Sequence, residues 1–318
     1  MTVIADVVFP ILFIVALGFI FRRLGGRFEH AFSRTQLYIL VPALLFTVVS
    51  GSEASLPTIG TVLLYVAILT AVLIGITQGI GLLARSSRAE RNAISLAGVF
   101  TNSGFYGIPV CMLAFGDRGL IWASVYVIAS STIQSTVGIY VASAGHRRAV
   151  DALAAVFKVP LIWALVAGKG LAALHALPPE PLMRMLDLMG KSAIPLGLLL
   201  LGMQLERIVS GETAREEAAV RECDPDAGHP RREVALGVAA GMIKVFGGLG
   251  AALVILPFFD LDPVLRNVIL VQSAMPTAVN AVVYATEFEC RPQLVATGIL
   301  SSTLISVASI ALILRYLT

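Results

Sequence analysis

Long apolar runs alternate with short polar connectors along almost the whole chain. An α-helix needs about 20 apolar residues to cross a hydrocarbon core of roughly 30 Å, and ten runs of about that length can be drawn. They cover residues 3–21, 35–51, 60–84, 92–115, 119–143, 157–177, 189–206, 234–257, 266–286 and 293–316. The pattern predicts an all-α membrane protein with ten transmembrane helices. Its connectors are short except for the charged segment 207–233.

Composition supports this prediction. Hydrophobic residues make up 57% of the 318 residues and charged residues 14%, whereas a soluble domain is about a quarter charged. The first run contains Asp6 and has no basic segment before it, which is unlike a cleaved signal peptide. The three cysteines fall on unrelated segments and predict no disulfide framework. We therefore expect the lipid bilayer, and no nucleic acid, as a partner.

Basic residues are unevenly distributed between the two sides of the predicted bundle. The odd-numbered connectors carry most of them, including clusters at 22–34, 85–91 and 207–232. Cytoplasmic connectors of membrane proteins are enriched in Arg and Lys. The distribution predicts a multi-pass protein of the cell (inner) membrane with both termini on the outer side.

The two halves of the chain show a weak internal similarity. ERNAISLAGVFTN, beginning at Glu90, aligns with LRNVILVQSAMPT, beginning at Leu265. Because each half contains an odd number of spans, five, the second half, 159–318, has an inverted orientation in the membrane relative to the first half, 1–158. Inverted repeats are typical of secondary transporters, whose substrate site lies between the repeats near the middle of the bilayer.

Both aligned segments contain helix breakers at their centre, TNSGFYGIP at 101–109 and SAMPTAVN at 273–280. Asn102 lies ten residues after Asn92, and Thr277 lies ten residues after Asn267. Ten residues of helix span about 15 Å, which is half of the hydrocarbon core. The sequence therefore predicts two broken helices, spans 4 and 9, that cross at the middle of the membrane.

Gly107, Pro109 and Pro276 are the predicted hinge and crossover residues. Glycine permits unusual backbone angles, and proline removes an N–H group from the helix. Unwound backbone at this depth must be buried in protein or line an aqueous cavity. The free N–H groups of the second half-helices would form an anion site, with loose carbonyl groups nearby for a cation.

The candidate substrate ligands come from these breaks and from polar residues inside neighbouring spans. They are Thr101, Asn102, Ser103, Gly104, Gln134, Lys244, Gln272, Pro276, Thr277, Ala278 and Asn280. Asn102 or Ser103 could instead cap the second half-helix, and Asn280 or the glutamines could form interhelical hydrogen bonds. Lys244 could pair with a substrate anion, since no carboxylate lies comparably deep, or it could bind backbone carbonyl groups or snorkel.

These motifs resemble the auxin efflux carrier family of bacteria and plants. The resemblance is carried by Asn102 followed by Gly107, Ile108 and Pro109, and by the run Met275 to Val279. It implies a scaffold domain of spans 1, 2, 6 and 7, and a transport domain of spans 3–5 and 8–10. It also implies that Asn102 contacts a substrate carboxylate and that the scaffold helices could form a homodimer. Sodium-coupled bile acid symporters share this architecture.

Plant members of that family carry a long hydrophilic loop between spans 5 and 6. This chain has only a short connector there, and its charged insertion at 207–233 lies between spans 7 and 8. The difference favours a bacterial type of carrier, and the family implies small carboxylates such as malonate or malate as its substrates.

The predicted function is therefore secondary active transport of a small organic anion, including an auxin-like acid, by an elevator-type mechanism. The alternative is sodium-coupled symport of amphipathic, bile-acid-like anions, and a receptor that uses the same pocket also stays open. An enzyme is not expected, since the chain has no HExxH or GxSxG motif and its four His lie in or near connectors. No cofactor or metal site is predicted. Na⁺ and H⁺ are the candidate coupling ions, with uniport as the other option.

Overall fold

The computed structural model describes residues 7–26, 28–52, 54–138, 160–212, 230–287 and 290–317. Within these ranges the chain is helical apart from short connections and one isolated bridge between two residues. The helices are α1 (Phe9–Arg23), α2 (Glu29–Ser50), α3 (Leu56–Leu83), α4 (Arg88–Val99), α5 (Ser103–Ile133), α6 (Pro160–Ala173), α7 (Glu180–Val209), α8 (Arg231–Phe258), α9 (Pro263–Ser273), α10 (Asn280–Glu287) and α11 (Pro292–Leu317).

Six of the described helices are long and apolar enough to cross a membrane, namely α2, α3, α5, α7, α8 and α11. The predicted all-α membrane protein is therefore confirmed for the described residues. The other predicted runs fall on shorter helices, among them the apolar helix α6. The arrangement of ten spans stays a prediction. The predicted boundary at residues 158 and 159, and most of the charged segment 207–233, lie outside the described ranges.

Helix α5 consists of two helical segments joined at Gly116. This residue has φ 63° and ψ −151°, a conformation that glycine adopts far more readily than other residues. The turn falls within 116–118, where the hydropathy pattern predicts the connector between spans 4 and 5. The first part of α5 therefore continues from α4 across the first break, and the second part runs back.

Helices α1 and α7 pack with their backbones in close contact. A Cβ atom at Gly18 of α1 would overlap the Leu199 carbonyl, and one at Gly202 of α7 would overlap the Val15 carbonyl. In lipid, helices gain little from burying apolar surface, so close packing through small residues is a main source of their association. Helices α8 and α11 meet in the same way, because a Cβ atom at Gly237 would overlap the Leu294 carbonyl.

Buried apolar side chains form two clusters. One joins α3, α4, α8, α10 and most of α11, and the other joins α1, α2, α6 and α7. The end of α11 enters the second cluster through Ile310 and Leu314, and helices α5 and α9 contribute to both clusters, as the neighbouring residues Tyr126 and Val127 of α5 show. These two helices, which flank the breaks, therefore lie where the two groups of helices meet.

A buried arginine joins the ends of three helices. Arg22, in the last turn of α1, pairs with the carboxylates of Glu29 in α2, Glu206 in α7 and Glu212 just after α7. The Arg22 guanidinium lies 2.6 Å from the Glu212 carboxylate. A guanidinium offers five donors in a fixed fork and can serve several carboxylates at once. This pairing holds α1, α2 and α7 together on the side that the charge distribution predicts to be cytoplasmic.

Candidate functional site

The two predicted breaks are present and lie against each other. Helix α4 ends at Val99 and helix α9 ends at Ser273, and the residues that follow each are not helical. The Asn102 N–H donates to the Pro276 carbonyl at 2.8 Å, and the Ala278 N–H donates to the Phe100 carbonyl at 3.0 Å. These bonds form an antiparallel bridge centred on Thr101 and Thr277. Each break thus satisfies part of the other's backbone, which is buried in protein.

Local sequence explains where the first break ends. Residues Ser103–Gly107 form a wide helical turn in which the Gly107 N–H donates to the Asn102 carbonyl at 3.2 Å. Pro109 stands in the first turn of the regular helix that follows, where its missing N–H would have no acceptor in any case. The predicted hinge positions therefore lie at the start of α5.

The Asn102 side chain is buried and has an unused donor. Its residue is 4% exposed, and its side chain makes no capping bond to α5. Within the described residues, Nδ2 has no hydrogen-bond partner. In the structure the Asn102 side chain therefore does not cap α5. A buried amide donor in this state costs about 1–3 kcal/mol, so the position favours a ligand that accepts a hydrogen bond.

Polar side chains of α5 surround the first break. The Ser103 hydroxyl lies 2.7 Å from the hydroxyl of Ser130, which also donates to the Val127 carbonyl. Just beyond α5, the Gln134 side chain donates from Nε2 to the Thr101 carbonyl at 3.2 Å. Gln134 therefore holds the backbone of the break, as the structural alternative for the glutamines predicts.

Gln272 connects α9 to the first break. Its side chain is fully buried and donates from Nε2 to the Ser103 carbonyl at 3.4 Å, while its Oε1 has no partner within the described residues. The amide lies against Gly107 so closely that a Cβ atom there would overlap it. Gly107 is thus required for this approach, a reason that sequence alone does not give.

The second break is held by Thr277 and by a serine that the sequence analysis missed. The Thr277 hydroxyl donates to the Ala97 carbonyl at 2.5 Å, and the Thr277 N–H donates to the Ser302 hydroxyl of α11 at 3.0 Å. The tripeptide Ser-Ser-Thr occurs at 130–132 in α5 and again at 301–303 in α11, which cover the predicted spans 5 and 10. In that register Ser302 matches Ser131 rather than Ser130, so the repeat points only to this region of α11 and not to Ser302 itself.

Lys244 is buried and bonded to backbone. It has no exposed surface, and its Nζ donates to the carbonyl of Ser273, the last residue of α9, at 3.1 Å. This contact matches the carbonyl-binding alternative considered for Lys244. Asn280 differs from the other candidates because it is exposed at the start of α10. The structure thus gathers the remaining candidates around the paired breaks and leaves Asn280 at the edge of the group.

A small cleft lies beside the first break, between α3, α4 and α5. Its polar lining comes from Thr70, Ser95, Thr101, Ser130 and Gln134. It has room for little more than one water molecule. This conformation therefore encloses the polar groups of the break, and an organic acid would reach them only after the surrounding helices move apart.

The sequence profile of a family described as "Membrane transport protein" (Mem_trans) matches residues 3–314, almost the whole chain. The chain belongs to this family. The family is auxin efflux carrier-like, which confirms the resemblance carried by Asn102 and by the run Met275 to Val279. The Mem_trans chain is thus a transport protein rather than an enzyme, and with several long apolar helices it is a multi-pass membrane protein.

Similar proteins match the chain over nearly their whole length. A "Putative malonate transporter" from Rhizobium meliloti (strain 1021) is 25% identical over 323 residues, which cover 98% of this Mem_trans chain and 94% of that protein. An "Uncharacterized transporter" from Methanothermobacter thermautotrophicus is 25% identical over 317 residues, covering 96% of each chain. Another uncharacterized transporter, from Methanocaldococcus jannaschii, is 24% identical over 325 residues. The similarity therefore extends over both predicted halves.

Proposed function

We propose that this member of the family is a secondary active transporter that moves a small organic anion by an elevator-type movement. The observation that carries the proposal is the pairing of two helix breaks beside the buried Asn102 amide, whose Nδ2 has no partner within the described residues. A carboxylate bound there would accept the unused hydrogen bond and remove the cost of leaving that donor buried.

The start of α5 adds to the attraction for an anion. The first four N–H groups of a helix have no acceptor within the helix, and here they belong to Ser103, Gly104 and the next two residues. The positive end of the helix dipole lies at the same place. The backbone is also accessible at Gly104, since the nearest atom to a Cβ placed there would be 4.0 Å away, on Val127. Residue 104 itself therefore puts no side chain in the way of a carboxylate.

The other candidate residues take supporting roles in the proposal. Thr101, Asn102, Ser103 and Gly104 form the anion seat. Gln134 and Gln272 hold its backbone through their bonds to Thr101 and Ser103. Pro276, Thr277 and Ala278 shape the second break, Lys244 contributes positive charge, and Asn280 is proposed to contact the substrate from the exposed side of α10.

The elevator movement is proposed for two groups of helices. Helices α1, α2, α6 and α7 form the scaffold, and α3–α5 with α8–α11 form the transport domain, in a ten-span inverted repeat with both termini outside. The apolar clusters support this division, because α3, α4, α8 and α10 belong to one cluster and α1, α2, α6 and α7 to the other, with α5, α9 and α11 in both. Gly197 of α7 lies beside Phe105, so that the scaffold contacts the first break directly.

Malonate is the first acid to test. The relative named "Putative malonate transporter" is similar over 98% of this chain, at 25% identity. A small dicarboxylate also suits a site formed by one amide and a helix start, because its carboxylates can accept hydrogen bonds from these donors. Malate and indole-3-acetate serve as comparisons.

The experiment is uptake of the three labelled acids into liposomes that contain the purified protein, with and without a sodium gradient. Asn102→Ala removes the unused donor and leaves no new buried polar atom, so the protein should fold. Uptake by this variant should fall by about tenfold to 100-fold, the equivalent of one charge-assisted hydrogen bond. Asn267→Ala is the matched control, since Asn267 is partly exposed in the outer part of α9.

The outcomes separate the parts of the proposal. If folded wild-type protein takes up none of the acids, the substrate class is wrong. If one acid is transported equally well by wild type and Asn102→Ala, the anion does not bind at the first break. Uptake that is lost in Asn102→Ala and kept in Asn267→Ala supports both the substrate class and the binding of the anion at the first break.

A further inference from the structure

Two lysines of this chain bind the carbonyl end of a helix. Lys169 of α6 donates from Nζ to the Ser52 carbonyl, 2.7 Å away, just beyond the end of α2. Lys244 of α8 donates from Nζ to the carbonyl of Ser273, the last residue of α9, at 3.1 Å. A cation is stabilising at this end of a helix because the helix dipole is negative there. The two contacts are therefore alike in chemistry.

The two lysines differ in burial and in place. Lys169 is partly exposed, and its ammonium also bonds to the Ser52 hydroxyl at 3.2 Å. Lys244 has no exposed surface and lies in the middle of α8, beside the end of α9 from which the second break departs. Burying an ammonium is costly, and a helix cap contributes only about 0.3–2 kcal/mol. Capping alone accounts for Lys169 but not for Lys244.

The described residues around Lys244 hold its ammonium in position but include no carboxylate that pairs with it. Within the described part of the chain no carboxylate pairs with Lys244, and its one described hydrogen-bond acceptor is the Ser273 carbonyl. Gly248, one turn later in α8, lets the two helices approach, since a Cβ atom there would overlap that carbonyl. The Tyr65 hydroxyl holds Ser273 from another side, 3.1 Å from its Oγ. The packing around Ser273 thus fixes the position of the Lys244 ammonium, but within the described residues no carboxylate neutralises its charge.

Lys244 is also linked to the first break by two short steps. Ser273, which accepts its hydrogen bond, follows Gln272 directly in the chain. Gln272 donates to the Ser103 carbonyl in the first break. A change at Lys244 that shifts the end of α9 would therefore shift the amide that lies against Gly107, and through it the proposed anion seat.

We propose that Lys244 is a built-in cation of the transport site, and that it occupies the carbonyl end of α9 in place of a free alkali metal ion. This inference rests on the proposed function. Carbonyl groups at the end of a broken helix are where transporters commonly coordinate sodium. Here an ammonium is already hydrogen-bonded to such a carbonyl, and its charge stays within the transport domain throughout the cycle. Transport of the acid is then independent of sodium.

The experiment compares wild type, Lys244→Met, Lys244→Arg and the matched control Lys169→Met in liposomes. Uptake of malonate is measured in sodium medium and in medium where N-methyl-D-glucamine replaces sodium. Wild type should transport equally in both. Lys244→Met should lose about tenfold or more, as expected when a buried charge opposite an anion is removed. Lys244→Arg should retain part of the activity, and Lys169→Met should stay within about twofold of wild type, since it loses only a partly exposed cap.

Thermal unfolding of the same proteins separates a functional role from a structural one. Lys244→Met removes a buried charge, so its unfolding midpoint should stay the same or rise while uptake falls. A midpoint that falls together with uptake, and recovers with neither sodium nor Lys244→Arg, would show that Lys244 only supports the fold. Sodium-dependent uptake by wild type, or unchanged uptake by Lys244→Met, would also overturn the inference.

A sodium titration of stability covers the case in which no tested acid is transported, which is a failure of the proposed function. Wild type should unfold at the same temperature in sodium and in N-methyl-D-glucamine. Lys244→Ala, which vacates the position at the Ser273 carbonyl, should gain a sodium-dependent rise in its midpoint. If instead wild type is stabilised by sodium and Lys244→Ala is not, the ammonium does not replace the ion.

Discussion

The two helix breaks use the same backbone device but differ in how their polar groups are satisfied. They share an antiparallel bridge, in which each break supplies one N–H and one carbonyl. In the first break, the Asn102 amide has a buried donor without a partner within the described residues, and a small cleft that contains the polar groups of Ser130 and Gln134 lies beside the break. In the second break, Thr277 is bonded through both its N–H and its hydroxyl, and Lys244 binds the carbonyl just before it.

This difference indicates a division of labour between the breaks. A buried polar group that is fully bonded stabilises the fold, whereas one left without a partner costs stability unless a ligand completes it. The second break is thus built as a support, and the first break as the place where a ligand would bind. An internal repeat does not require its two copies to do the same thing. Substitutions in one break should therefore affect stability, and those in the other should affect transport.

The largest effect is expected from Gly107→Ala, because it attacks the contact between the breaks. The added Cβ would overlap the Gln272 amide, which is fully buried and bonded to the Ser103 carbonyl. Overpacking of this kind costs about 1–3 kcal/mol. It should also displace the backbone around Asn102, so uptake should fall more than in Asn102→Ala. Thermal unfolding and malonate uptake of the purified variant measure both effects.

Gly104→Ala is the control for stability at the same break. A Cβ at position 104 would have its nearest neighbour 4.0 Å away, so the unfolding midpoint should stay near that of wild type. If Gly104→Ala and Gly107→Ala lowered the midpoint equally, glycine would be required for backbone flexibility in the break. The close approach of Gln272 would then not be the reason.

The next largest effect is expected at the bridge between the breaks, where one substitution on each side is compared for its cost in stability. Thr277→Val keeps the shape of the side chain but removes a hydroxyl that donates to Ala97 and accepts from Ser302. The loss should cost about 1–3 kcal/mol, since buried partners are left unsatisfied. Thr101→Val removes only a long contact of 3.4 Å to the Val99 carbonyl and should cost less than about 1 kcal/mol.

Chemical or thermal unfolding in detergent compares the two valine variants directly. The unfolding midpoint should fall more for Thr277→Val, while the affinity for malonate should change little in that variant. A larger drop for Thr101→Val would reverse the roles assigned to the two breaks. Equal drops would show that the bridge, rather than the side chains around it, carries the stability.

The sequence identified the helices and the breaks because both depend on local chemistry. Apolar runs of membrane length predicted the long helices, and Gly107, Pro109 and Pro276 marked the points where a regular helix cannot continue. The equal spacing from Asn92 to Asn102 and from Asn267 to Thr277 placed the breaks at the same depth, and the structure brings them together. Such features follow from the order of residues along one segment.

The partners of individual side chains could not be predicted, because they depend on which helices meet and on which face. Asn280 lies in an apolar run like the other candidates, yet it is exposed, since nothing in the run specifies the side on which it lies. Lys244 was open to a substrate or a carbonyl partner, and only the end of α9 beside α8 decides what it contacts. Ser302 was missed because its role arises from a hydrogen bond to a residue 25 positions earlier.

The smallest effect is expected at the serine that supports the first break. Ser130→Ala removes the hydroxyl 2.7 Å from that of Ser103, and with it one hydrogen bond between neutral groups beside the break. The cost in stability should be about 0.5–1.5 kcal/mol, the value of one ordinary hydrogen bond. Ser302→Ala, the corresponding change at the second break, leaves the buried Thr277 N–H without an acceptor and should cost more. Malonate affinity should fall a few-fold in Ser130→Ala, since Ser103 belongs to the proposed anion seat, and should change less in Ser302→Ala. Binding and unfolding measurements that gave the opposite order would place the ligand at the second break.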